Sequence, residues 1–338
     1  MRTKLVAVLA FGASLGLAQP VSAGPVKHWA ALPGREIRTI QLRDTEIAQR
    51  PLIAVVAARD GWVYVRAGDG LYRVLGTDGV SSAVASFDWC DSRNAALVVP
   101  YATPGFACVA KNTIIEIANG TQFRRPLPIP QWRAPDGDLY RYDYPFVTWI
   151  ERTPGGRWWF AYGYAGGLGY ADPDGTTYLR HVIGMPRPYA AAVLGEDVFL
   201  GGNGCAVTRV RGFRVRGSEW LCGHFGVPRF VRSGEALWVL AGSAVERRLA
   251  GGTVRRWFLG VEITDAAYDA RTRTAYLLGA DRDGRNHLVT IGPDDVPHDT
   301  RLPMTGGSTI AVDARRRIWI GVPLLHALAV IAPPGEWG

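Results

Sequence analysis

The side chains that could do chemistry in this chain are scattered, not gathered in a motif. No GxSxG, HExxH or phosphate-loop pattern occurs. Carboxylates and imidazoles instead recur singly, near turn signals. Asp69, Asp88, His224, Glu262 and Asp281 could each give one oxygen or nitrogen ligand to a divalent metal, magnesium or calcium. A metal held in that way, by one residue per structural unit, would leave no local signature. The run DRDGRNH (281–287) has the acidic start of a calcium loop but lacks the remaining ligands and the bidentate Glu, so it reads as a hairpin turn. Asp88, Asp91, His224 and Glu262 fall in connections, and Asp69, Tyr164, Asn203, Asp281, Asp283 and His326 in tight turns.

A second set lies in one long segment, PIPQWRAPDGDLYRYDYPF (128–146). It holds Trp132, Arg133, Asp136, Asp138, Tyr140, Arg141, Tyr142, Asp143 and Tyr144. Long loops in compact domains are commonly functional, and this one is too aromatic for a disordered linker. Flat rings beside carboxylates and guanidiniums suit sugar or peptide recognition. The competing reading is a lid that packs without a ligand. Tyr164, Asn203 and His326 join this set as ligand-binding candidates.

Something must position these turns, and the repeat shows what. Short apolar strands alternate with DG, GG and NG hairpin dipeptides. LIAVVAARDGWVYVRAGDGLYRVLGTDG (52–79) is the first full unit, and TIAVDARRRIWIGVPLLHALAVIAPPG (309–335) the last. Second strands are expected to start near Trp62, Ala96, Trp158, Val198, Leu237, Ala275 and Ile318, mostly 34 to 43 residues apart, with 62 between Ala96 and Trp158. A period near 40 with four strands per unit and no long amphipathic helix predicts an all-β chain, a single β-propeller over 24–338. Seven four-stranded blades fit best, with six and eight left open by the irregular second unit. The last unit has only three strands, so REIRTIQL (35–42) is expected to supply the fourth and close the ring. In GRWWFAYG (156–163), Trp158, Phe160 and Tyr162 should fill the space between blades.

The first 23 residues read as a signal peptide: Arg2 and Lys4, an apolar LVAVLAFGASLGLA, then VSA ending at Ala23. This implies a periplasmic or secreted protein, with no later stretch apolar enough to span a membrane. Export also suits the four cysteines. The simplest of three pairings joins Cys90 to Cys108 and Cys205 to Cys222, each loop contributing about 3 kcal/mol in the chain-entropy model. No CxxC pair points to a metal. The formal charge of +8 comes almost wholly from arginines that alternate with Val, Phe and Ile, as on outward strand faces. No continuous basic face emerges, so nucleic acid is excluded as a partner.

RWWFAYGYAGGLGYADPDGT (157–176) resembles the repeat of virginiamycin B lyase-like propellers. WVYVRAGDGLYRVLGTDG (62–79) and RIWIGVPLLHALAVIAPPG (317–335) do so more loosely, and NHL, gluconolactonase-type and periplasmic sensor-kinase propellers share the same grammar. The resemblance implies a propeller, and with it a magnesium-assisted lyase or a metal-assisted lactonase. That repeat has Thr-Glu after its aromatic pair; here Ala161 and Tyr162 stand there, and the family's catalytic His and metal-binding Glu match no particular position.

Three functions follow. The first is a monomeric, non-catalytic exported propeller that binds a small ligand or a protein partner of the cell envelope over its channel face. The alternative is a metal-dependent lyase or lactonase-type hydrolase. The third is an envelope scaffold docking through its arginine-rich outer strands. Turnover of a lactone or cyclic depsipeptide separates the second from the first, and a stable envelope partner marks the third.

Overall fold

The computed structural model describes residues 36–42, 52–57, 62–67, 70–74, 80–86, 99–102, 105–110, 112–118, 121–133, 139–141, 147–163, 166–183, 185, 188–221 and 227–332. Among them there is no α-helix, and the only helical pieces are two 3₁₀ turns. The strands form seven four-stranded antiparallel meanders and one two-stranded hairpin. The first sheet runs Leu52–Ala57, Val63–Ala67, Gly70–Val74 and Val80–Ser86. The second runs Val99–Ala102, Gly105–Ala110, Thr113–Ala118 and Thr121–Pro126. The third comprises Val147–Arg152, Trp158–Tyr162, Gly167–Ala171 and Thr177–His181. The fourth comprises Ala190–Leu194, Asp197–Gly201, Ala206–Arg211 and Arg214–Trp220. The fifth is built from Arg229–Ser233, Ala236–Ala241, Ala244–Leu249 and Val254–Phe258. The sixth is built from Glu262–Asp269, Thr274–Ala280, Arg285–Ile291 and Pro297–Thr305.

The seventh sheet takes Thr309–Val312, Ile318–Val322 and Ala327–Ala332 from the end of the chain. Its fourth strand is Glu36–Gln41, paired antiparallel from Glu36 opposite Ala332 to Gln41 opposite Ala327. The N–H of Leu42 continues the pairing to the His326 carbonyl at 3.0 Å. The strand expected from REIRTIQL thus completes the last sheet.

The first strands of successive sheets adjoin around the axis. Every hydrophobic cluster of the core lies between two consecutive sheets. Val55, Val65, Trp319 and Val330 join the seventh sheet to the first. Tyr64, Leu71, Cys108 and Ile115 join the first to the second. The clusters around Trp158, Leu200, Val239, Trp257 and Ile320 carry the ring through the other junctions. Inner strands are covered on both faces, so Val63–Ala67, Asp197–Gly201 and Ile318–Val322 are buried at every position. Outer strands meet water, and Thr121–Pro126 and Arg214–Trp220 are largely exposed. This two-sided burial is the propeller solution to sheet packing.

Trp158, Phe160 and Tyr162 are buried against the second sheet, as their alternation predicts. The second unit differs from expectation. Its second strand begins at Gly105, not near Ala96, which lies outside the described residues. The first strand, Val99–Ala102, is short and pairs Ala102 with Gly105, the first residue of the second strand.

Candidate functional site

An antiparallel meander puts its turns on two faces. Second-to-third turns and the connections between sheets lie on one, called here the upper face. First-to-second and third-to-fourth turns lie on the lower. The described candidates read from the sequence, Trp132, Arg133, Tyr140, Asn203, Glu262, Asp281 and His326, belong to the upper face. Asp69, Asp88, Asp136, Asp138, Tyr142, Tyr144, Tyr164, His224, Cys90 and Cys222 lie outside the described residues.

Trp132, Arg133 and Tyr140 lie in the hairpin of Gln131–Arg133 with Leu139–Arg141, where Trp132 faces Tyr140 and Arg133 faces Leu139 in register. The long segment therefore carries its own small ribbon between the second and third sheets. Asn203 begins a 3₁₀ turn of the fourth sheet. His326 ends the 3₁₀ turn Pro323–Leu325 in the left-handed region, at φ 46°, and its N–H donates to the Pro323 carbonyl at 3.1 Å.

Glu262 is exposed at the start of the sixth sheet, with Ala280 opposite it in register and Asp281 next along. The Asp281 carboxylate is already engaged. Oδ1 accepts the N–H groups of Asp283 and Arg285, each at 2.9 Å, and Oδ2 lies 3.4 Å from His287 Nε2. The Arg285 N–H and its companions hold the Asp281 pKa below the ordinary carboxylate value. This is a hairpin turn closed by an aspartate. Among the described residues no three His, Cys, Asp or Glu side chains converge as a metal would require. Of the five metal candidates only Glu262 and Asp281 are described. Cys108 and Cys205 are buried in different junctions of the ring, and neither is a free thiol.

Two carboxylates on the axial strands work as stitches between sheets. Glu151 Oε2 accepts the Val193 N–H at 3.0 Å, and Oε1 accepts from Arg232 at 3.0 Å. Asp265 Oδ2 accepts the Ile310 N–H at 2.9 Å, with Arg229 3.8 Å from Oδ1. Burial raises the pKa of both, against these bonds and cations, and pushes Asp265 up to about 6.

Among the described residues an open cavity lies on the lower face, between the third and fourth sheets. Its volume is about 680 Å³, within the range of small-molecule sites. Four turns frame it: Thr153, Gly155 and Arg157 from one, Asp172 from the next, Gly195 and Glu196, and Gly212 and Phe213 from the fourth sheet. Trp159, Tyr170 and Phe213 are its aromatic walls.

Register explains the walls. In the third sheet Trp159 pairs with Tyr170, and Tyr170 with Tyr178, so three rings stand in a row across the face toward the fourth sheet. Tyr170 and Tyr178 stack at 5.4 Å and 18°. Trp159 meets Tyr170 edge-on at 5.4 Å and Phe213 at a tilt, 5.9 Å away. Phe213 reaches the row from a left-handed turn position, at φ 61°.

The charges around the cavity are paired. Arg157 gives Nε to Asp172 Oδ1 at 2.5 Å and Nη2 to Oδ2 at 3.1 Å, and its guanidinium lies 4.0 Å over Tyr170. Hydrogen bonding to Asp172 raises the Arg157 pKa further. Arg211 grips Asp197 through Nε and Nη2, both at 2.7 Å, and Arg209 adds a third bond at 2.6 Å. Burial opposes the charge on Asp197, but the two arginines outweigh it and its pKa falls.

Trp159 and Tyr170 sit in the stretch that the sequence marks as aromatic, which reads as filling between blades. Trp158, Phe160 and Tyr162 do that; Trp159, on the opposite face by period-two alternation, is only half-buried. The signal was the flanking Arg157 and Asp172. The missing fact was the distance between the two sheets, which brings Phe213 of the fourth sheet against Trp159 of the third.

No family model matches the chain, and no curated protein matches it. Among solved structures, the chain is similar to a streptogramin B lyase, with a TM-score of 0.60 and 14% identity over 88% of this chain and 97% of that one. It is also similar to virginiamycin B lyase from Staphylococcus aureus, with a TM-score of 0.59 and 13% identity over 88% and 99%. A third likeness is to the extracellular domain of a putative hybrid two-component system from B. thetaiotaomicron, with a TM-score of 0.55 and 12% identity over 84% of this chain and 40% of that one. The chain is a β-propeller, with the fold shared by virginiamycin B lyase and by extracellular sensor-type propellers.

Proposed function

We propose that this protein is an exported, non-catalytic propeller that binds a small ligand between its third and fourth sheets. One observation carries the reading: a cavity of about 680 Å³ with aromatic walls and a rim of paired charges. Rigid hairpins hold every wall, which suits binding to a preformed site. The site lies on the lower face, not over the channel face. Likeness to extracellular domains supports export. An oxidising compartment suits local disulfides, Cys90 with Cys108 and Cys205 with Cys222, because Cys108 and Cys205 are in separate junctions.

The second reading is a metal-dependent lyase. It is favoured by the fold likeness to streptogramin B lyase over nearly the whole of both chains. Fold likeness alone does not carry activity.

The test is native mass spectrometry of the mature protein after exposure to envelope extract. The comparison is Gly155→Trp, which narrows the pocket mouth at a position where an added Cβ meets nothing within 4 Å. Retention of a small molecule by the native protein and not by the variant supports the reading. Equal retention, or turnover of a cyclic depsipeptide that needs magnesium, overturns it.

A further inference from the structure

Resting on that reading of the pocket, we infer that its ligand is a neutral carbohydrate, a short oligosaccharide, and not an anion, a cation or a peptide strand.

An anion would need a guanidinium with its fork open. Arg157 gives its fork to Asp172 and Arg211 gives its fork to Asp197, two bonds in each case. Taking either would strand a partly buried carboxylate, which is costly. A cation would need an uncommitted carboxylate inside. Asp172 and Asp197 are both engaged, and Glu196 stands out in solvent on the rim, its side chain 84% exposed. A peptide bound by strand addition would need an unpaired strand edge. The outer edges of these two sheets, Thr177–His181 and Arg214–Trp220, do not line the pocket, and of the inner edge strands only Val193 does, with its N–H already given to Glu151 at 3.0 Å.

What the pocket does offer is a mixture of flat apolar faces and planar polar groups. Trp159 is half-buried, lines the pocket, meets Tyr170 edge-on and lies tilted at 33° to Phe213. A pyranose presents a face of C–H groups that can rest on such an indole. Its hydroxyls, each both donor and acceptor, lie around the ring's equator. Guanidinium N–H groups not used by Asp172 can donate to them, and carboxylate oxygens keep further lone pairs to accept. Neutral alternating donors and acceptors satisfy these ion pairs without breaking them.

The experiment is titration calorimetry of the purified protein against three panels: neutral oligosaccharides, acidic or phosphorylated sugars, and aromatic amino acids and dipeptides. The variants are Trp159→Ala, Gly155→Trp, and Trp220→Ala as a control on an exposed ring outside the pocket. Expected are binding of a neutral sugar, little change in affinity between low and high salt, and at least a ten-fold loss in the first two variants but not in the control. Circular dichroism melts establish that the variants fold. Binding of a charged sugar or an amino acid, sensitive to Gly155→Trp, overturns the carbohydrate inference and keeps the site. Binding unaffected by Gly155→Trp overturns both. No binding in any panel overturns the inference, and the extract experiment then judges the site alone.

Discussion

Arg157 and Asp172 form a single planar unit at the mouth of the pocket, with Nε 2.5 Å from Oδ1 and Nη2 3.1 Å from Oδ2. They flank neighbouring strands: Arg157 precedes the second strand of the third sheet, Asp172 follows the third, and Trp158 faces Ala171 between them. The second sheet braces the same turn, since Arg125 donates to the Asp172 carbonyl at 2.7 Å. Arg157 in turn covers the ring of Tyr170 at 4.0 Å. One ion pair therefore sets both the charge and the ring geometry of the site.

Arg157→Ala should separate binding from stability. The pair is partly exposed, 40% and 23% at the two side chains, so its loss should cost under about 1 kcal/mol in urea denaturation. Affinity for the pocket ligand should fall about ten-fold or more, because Tyr170 loses its cover. A loss of several kcal/mol in stability would show the pair to be structural instead.

Asp265→Asn should change the pH dependence of stability. The folded pKa of about 6 lies above the unfolded value near 4. The native protein then holds the extra proton between those values. The stability from this group is full below about pH 4 and is lost as pH rises through about 6. Asn keeps an oxygen for the Ile310 N–H but carries no charge. Relative to wild type, the variant should gain of order 1–2 kcal/mol between pH 4.5 and 7.5. About a fifth of the side chain reaches solvent, which caps the effect. A difference that is flat with pH would refute the assignment.

Ile40→Ala should loosen the closure of the ring. Ile40 is buried with Trp319, Leu328 and Val330, so truncation should cost about 2–4 kcal/mol. Ile37, on the same strand but 38% exposed, should cost under about 0.5 kcal/mol on the same change. Equal effects at both positions would mean that the strand does not pack as described.

Gly169→Ala should damage the third sheet. A Cβ there would sit 2.4 Å from the Tyr178 carbonyl oxygen and 2.5 Å from the Phe160 ring. The backbone cannot yield cheaply, and a loss above about 2 kcal/mol is expected in thermal melts. Gly217→Ala, where an added Cβ meets nothing within 4 Å, should be neutral or slightly stabilising. If both are silent, the close approach at Gly169 is not real.

Much of the fold was legible because its signals are local. Period-two alternation and DG or GG dipeptides mark hairpins without knowledge of the rest of the chain. The three-strand last unit and the spare REIRTIQL strand pointed to ring closure, since an open sheet edge is a liability. The second unit departs from the average period: its second strand begins at Gly105, nine residues after Ala96. The upper-face candidates followed from knowing only which turns share a face.

By itself, the sequence determined the all-β repeat, the strand faces and the chemistry carried on each turn. Only the tertiary structure decided where two sheets leave space. Trp159, Tyr170 and Phe213 come from three strands or turns of two sheets, and the cavity lies where those sheets meet. The sequence placed Asp281 in a turn, and only the structure showed its oxygens meeting Asp283, Arg285 and His287. The physical reason is the same in both cases. Residue type and spacing set what a side chain can do within its own hairpin, while a site needs the distances between hairpins, and the packing of one sheet on the next sets those.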